Sequence, residues 1–120
     1  RVKDVRGPHE RVRIARLEAE YVNGRNSALD ELADLTGPGW EFITRQNAMG
    51  AFKRLGMFRT LAVENMLQAL FSTNNRLSAV ALSTLNAMSE ITSYRSEIRQ
   101  IIEKQQLSPW QKQMVEPLTR

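Results

Sequence analysis

Apolar residues return along this chain at the 3.6-residue spacing of an α-helix, interrupted at intervals by glycine, asparagine and proline. Residues 45–70 carry the pattern most plainly. Phe42, Met49 and Phe52, flanked by Ala48, Ala51 and Leu55, form one broad stripe that must be buried, while Arg45, Asn47, Lys53 and Arg54 are placed mostly off it. Gly56 can take the left-handed conformation that closes a helix. A second helix is predicted to begin near residues 58–60, with Val63, Met66, Leu67, Leu70 and Phe71 as its seam. So short a turn makes the two helices antiparallel neighbours.

The flanking segments fall into similar pairs. Residues 1–9 are expected to be extended, because Gly7-Pro8 interrupts a helix there. A helix then runs to Val22, with Ile14, Leu17 and Tyr21 in one row and Val12, Ala15, Ala19 and Val22 in the next, together a wide face to bury. Asn23-Gly24 ends it. Ser27 is the expected N-cap of the following helix, Asp30 and Glu31 suit its dipole, and Ala28, Leu29, Leu32 and Leu35 form its seam. Gly37-Pro38-Gly39 closes this pair, and Trp40 is expected to plug the adjoining core.

Downstream, Thr73 or Asn74 can cap a helix running to about Ile91, with Leu77, Val80, Ala81, Leu85 and Met88 facing inward. Thr92 or Ser93 restarts the chain into a helix carrying Tyr94, Ile98, Ile101 and Ile102. Ser108-Pro109-Trp110-Gln111 satisfies the capping-box rule and opens a short last helix over about residues 109–116, which Pro117 is expected to stop.

These pairs repeat. A shift of 33 residues places Ala48, Met49, Phe52 and Leu55 on Ala81, Leu82, Leu85 and Met88. A shift of 35 places Ala28, Leu32 and Leu35 on Val63, Leu67 and Leu70, and Met66-Leu67 on Ile101-Ile102. Hairpins at about residues 10–36, 40–72 and 74–106, with a period in the thirties, are the signature of a helical solenoid.

The stretch RQNAMGAFKRLG resembles the first helix of a short, bacterial-type HEAT repeat, whose Arg, Ala, small, Leu and Gly places are held here by Arg45, Ala48, Ala51, Phe52 and Gly56. PHERVRIARLEA, at residues 8–19, is similar to the Val-Arg opening of such a repeat, and residues 74–81 resemble it more faintly. The likeness covers about residues 10–104. It implies one all-α domain, a right-handed α-solenoid of three antiparallel helical hairpins with a short C-terminal helix. The third unit departs from the pattern, lacking Gly after Met88 and carrying a longer second helix. A non-repetitive helical bundle is the alternative fold.

Composition changes this picture little. A chain of 120 residues, 42% hydrophobic and 25% charged, suits one globular unit. No apolar run approaches the roughly 20 residues that span a bilayer, so no membrane role is expected. Beginning on Arg1 rather than Met suggests a piece of a larger protein, and the compartment is not set by the absence of cysteine. The net charge of +4 resides entirely in residues 1–16; the remainder is neutral. Arg45, Lys53, Arg54 and Arg59 are balanced by Asp30, Glu31, Asp34 and Glu41.

Chemistry is hard to find. His9 is the only histidine, beside a proline and with no nucleophile or orienting carboxylate placed by the spacing. It reads as a surface histidine. With no cysteine, a zinc site would have to be carboxylate-rich, and Asp30, Glu31 and Asp34 lack a histidine partner. Gly37-Pro38-Gly39-Trp40 has neither the lysine nor the hydroxyl of a phosphate loop. No catalytic residue, metal or cofactor is assigned.

A solenoid of this kind binds along its exposed ridges, and the resemblance implies that second helices line the inner surface. The candidate recognition face is therefore Glu64, Asn65, Gln68, Arg95, Arg99 and Glu103, continued on the first hairpin by Asp30, Glu31 and Asp34. Its charge grades from acidic to basic, which would fix the polarity of a bound peptide or neighbouring domain. The expected function is a non-catalytic protein-interaction or scaffolding domain, its partner another protein or another domain of the same chain. One alternative is the helical C-terminal accessory domain of an aminopeptidase N-type metallopeptidase, whose zinc would lie elsewhere. Another is a phosphate-backbone binder using Arg11, Arg13, Arg16, Arg45, Lys53, Arg54 and Arg59, similar to the use of HEAT-like repeats by some DNA glycosylases.

Overall fold

The structure, a computed structural model, describes residues 7–119 and contains seven α-helices: α1 (Gly7–Val22), α2 (Ser27–Leu35), α3 (Phe42–Leu55), α4 (Thr60–Leu70), α5 (Asn75–Ser89), α6 (Thr92–Glu103) and α7 (Pro109–Thr119). Among the described residues there is no strand. The lead-in through residue 6 and the side chain of His9 lie outside the described part. From Gly7 the chain is already helical, because Pro8 falls in the first turn, where its missing N–H had no intrahelical acceptor to lose.

Helix ends follow local chemistry. Gly56 sits at φ +63° and ψ +36° as the C-cap of α3, its N–H donating to Phe52 O at 2.9 Å. Asn74 caps α5, with its side-chain oxygen accepting from Leu77 N–H at 3.0 Å. Two expected ends are corrected. Asn26, not Ser27, occupies the N-cap of α2, itself in a helical conformation and without a side-chain cap bond. Pro117 lies inside α7, which runs on to Thr119; in the last turn a proline forfeits a single backbone bond and leaves the helix almost intact.

Seams buried at one unit are buried at the next. Ala48 and Phe52 are buried, as are Ala81 and Leu85 at a shift of 33; Ala28, Leu32 and Leu35 are buried, as are Val63, Leu67 and Leu70 at a shift of 35. Met66, Leu67, Ile101 and Ile102 join the same core, and Val115 and Leu118 close it from α7. Burying this set outweighs any propensity term, at about 1.5–3 kcal/mol for each large side chain.

The principal helix-to-helix contacts join elements one or two places apart in the chain. α1, α3 and α5 lie in one row, and α2, α4 and α6 are neighbours in the other; α7 packs on α6 and α5. α3 and α4, expected to lie directly on each other, approach only marginally, and both lie against α5 instead. Their linking turn is held by α6, where Tyr94 stacks on Phe58 with ring centroids 5.3 Å apart and its hydroxyl donates to Met57 Sδ at 3.9 Å. The molecule measures 39 × 31 × 19 Å, and its short axis equals about two helix diameters.

Two expectations about the core are overturned. Val12, Ala15, Ala19 and Val22 face solvent, with Val12 67% and Val22 71% exposed, since only the row of Ile14 and Leu17 turns toward α2 and α3. Phe42 is exposed at the start of α3, whereas Arg45 is buried. Trp40 is half-buried and packs against the core, as expected, with the Arg13 guanidinium 5.9 Å over its ring.

Candidate functional site

The second helices put the expected recognition residues on adjacent elements, and the way α2 meets α3 and α4 sets what those residues can do. At the end of α2, Thr36 is fully buried, and its hydroxyl donates to Ala33 O at 2.6 Å. Its own carbonyl accepts from Arg45 Nε at 2.9 Å. Arg45 Nη2 donates to Gln68 Oε1 at 3.1 Å and makes a longer approach of 3.4 Å to Asn65 O. Asn65 Nδ2 in turn donates to Thr36 Oγ1 at 3.1 Å and Ala33 O at 3.3 Å. A Cβ on Gly37 would lie 3.3 Å from that amide, so the glycine makes room for it.

Asn65 and Gln68 are therefore engaged within the chain, one sealing the end of α2 and the other accepting from a buried cation. Arg45 is only 7% exposed and has neutral acceptors alone among the described residues, and burial lowers its pKa from the ordinary arginine value. The sequence held a signal for this. Arg45 precedes Ala48, Met49 and Phe52 at i, i+3, i+4 and i+7, which places it on the apolar seam rather than off it. The same place, fourth in its helix, is taken by Ser78 in α5 and by Glu10 in α1. Ser78 Oγ donates to Leu70 O at 2.7 Å, so both Arg45 and Ser78 tie a first helix to a carbonyl at the end of the preceding second helix. Glu10 is buried too, with Arg13 at 3.7 Å.

Charges on the second-helix row are unevenly committed. Asp30 pairs with Arg59 at 2.8 Å, and Glu31 pairs with Arg25 and, at 3.8 Å, with Arg13. Hydrogen bonding to Glu31, followed by that to Glu20, raises the Arg25 pKa despite some desolvation. Asp34 and Glu64 are exposed and meet no described cation. On α6, Arg95 donates from Nε to Ser89 O at 3.0 Å, Arg99 is half-buried, and Glu103 is exposed. Glu97 is exposed as well and offsets one of these arginines. The row runs from acidic at α2 to balanced at α6, a shallower gradient than acidic to basic.

The basic residues of the first-helix side are mostly engaged. Arg54 pairs with Glu18 of α1, which raises its pKa, and Lys53 Nζ donates to Ser83 Oγ of α5 at 2.8 Å. Arg16 lies 3.8 Å from Glu20. Among the described residues no group of three or more His, Asp or Glu could hold a metal ion, and no described helix is long and apolar enough to cross a membrane. The open grooves are shallow; one, between α3 and α5, is lined by Lys53, Leu82, Ser83 and Asn86. No family model, no curated protein and no solved structure matches this chain.

Proposed function

We propose that this chain is a non-catalytic protein-interaction domain, built as a HEAT-like α-solenoid of three hairpins with α7 closing the last one. The observation that carries this reading is the repeated joint, in which Arg45 and Ser78 occupy equivalent places and each bonds a carbonyl at the end of the second helix before it. Contacts confined mainly to helices one or two places apart support the same architecture, since each unit of a solenoid buries its apolar face against its neighbours. Such a scaffold works through its ridges. The partner is a peptide or domain bearing cations, received along the second helices at Asp34 and Glu64, which the chain leaves without counterions among the described residues. Asn65 and Gln68 on α4 and Arg95, Arg99 and Glu103 on α6 continue the same row of second helices.

The test is a pull-down with the wild-type chain beside the D34K/E64K double variant and the R95E/R99E double variant. Specific capture by wild type that D34K/E64K loses supports the reading, and capture left unchanged by both variants removes it. The phosphate-backbone alternative is tested by binding to random duplex DNA, which would weaken steeply between low and moderate salt. The engagement of Arg13, Arg16, Arg54 and Arg59 with carboxylates counts against that outcome. The metallopeptidase-appendage alternative keeps the same scaffold and differs only in making the partner a catalytic domain of the same protein.

A further inference from the structure

α1 is apolar on two opposite sides, and only one of them is used. Ile14 and Leu17 face α2 and α3, while Val12, Ala15, Ala19 and Val22 form a second row at spacings of three and four on the opposite side of the helix, all exposed. This is the seam pattern by which one helix receives another. Small Ala15 and Ala19 at its middle permit close approach, and the two valines bound it. α7, at the other end of the element order, exposes one large apolar side chain, Trp110, beside Lys112, Gln113 and Glu116, and no comparable row.

The charges beside the row choose the occupant. Arg11 flanks one edge, is exposed and pairs with no described acid; Arg16 flanks the other, its side chain 64% exposed and 3.8 Å from Glu20. Of the nearby acids, Glu18 is committed to Arg54, and Glu20 is shared between Arg25 and Arg16. The rim of the row therefore offers positive charge, open at Arg11 and shared at Arg16 with Glu20. A second copy of this chain is a poor fit, because pairing α1 with itself in antiparallel register brings Arg16 near its own symmetry mate, and parallel pairing sets Arg11 against Arg16. Like charges so placed disfavour association.

We propose that the outer face of α1 is a docking site for an acidic amphipathic helix of a partner protein, its apolar seam laid on Val12, Ala15, Ala19 and Val22 and its flanking carboxylates on Arg11 and Arg16. This surface is separate from the second-helix row, and neither reading depends on the other.

The test uses the full chain and two synthetic helical peptides with the same leucine seam, one flanked by glutamates and one by lysines. Fluorescence anisotropy reads binding, and circular dichroism checks that every variant is folded. The glutamate peptide should bind at least about tenfold more tightly than the lysine peptide at low salt. Ala15→Gln with Ala19→Gln should abolish that binding, and Arg11→Glu with Arg16→Glu should reverse the peptide preference. D34K/E64K should leave it unchanged. Equal binding of both peptides, or of neither, would overturn the proposal, as would sedimentation showing a dimer that the Ala15→Gln/Ala19→Gln variant dissolves.

Discussion

Arg45 shows how one side chain can carry information that its charge conceals. An arginine buried among carbonyls is desolvated without a compensating carboxylate, and hydrogen bonds to Thr36 O and Gln68 Oε1 offset that cost. Replacing it with methionine leaves the Thr36 carbonyl without its donor at a buried helix end. The expected loss in urea unfolding is about 1–2 kcal/mol, and Ser78→Ala should cost about 1 kcal/mol for the equivalent bond in the next unit. An R45M variant as stable as wild type would show that the joint is incidental. Two glycines should respond with opposite signs. At Gly56 a Cβ meets only Ile91 Cδ1 at 3.8 Å, so the positive φ alone makes Gly56→Ala destabilising by about 1–2 kcal/mol. Gly50 lies within α3, where an added Cβ meets the flexible end of Arg54 at 3.2 Å. Gly50→Ala should stabilise by about 0.5–1 kcal/mol, read as a rise in Tm.

At the level of elements, caps distinguish what sequence could and could not tell. The residues from Ser108 to Gln111 satisfy the capping-box rule, and half of the box forms: Ser108 N–H donates to Gln111 Oε1 at 2.9 Å, but Ser108 Oγ is buried and finds no acceptor or donor among the described residues. Asn74 makes the cap bond that Ser108 does not. Asn74→Ala should therefore cost about 1 kcal/mol, and Ser108→Ala only a few tenths. The reverse order in thermal melts would contradict this assignment. Seam periodicity made the helices and their buried residues legible, from Leu32 and Leu35 through Met66, Leu67, Ile101 and Ile102. Periodicity failed where a residue type misled. Hydropathy alone puts a charged Arg45 outside and an apolar Val12 inside, because it records what a side chain prefers and not which neighbours the helix has. The recognition residues were legible as positions on second helices. Their internal engagements were not, since the bonds from Asn65 and Arg45 to Thr36 depend on how α2 meets α3 and α4.

For the whole molecule, polar ties join neighbouring elements between α1 and α5: Arg54 to Glu18, Arg59 to Asp30, Lys53 to Ser83. Each is exposed and contributes little, about 0–1 kcal/mol for an ion pair. Their value is in register rather than stability. The apolar core is continuous from Ile14 to Leu118, yet the principal contacts remain between near neighbours in element order. A stack of units with that wiring opens from its ends, whereas a bundle around one centre opens all at once. Native-state hydrogen exchange on the Leu17→Ala variant separates the two. The proposed architecture predicts faster exchange in α1 and α2, with the amides of α5 and α6 retaining wild-type protection. Acceleration of equal size in every helix would contradict it.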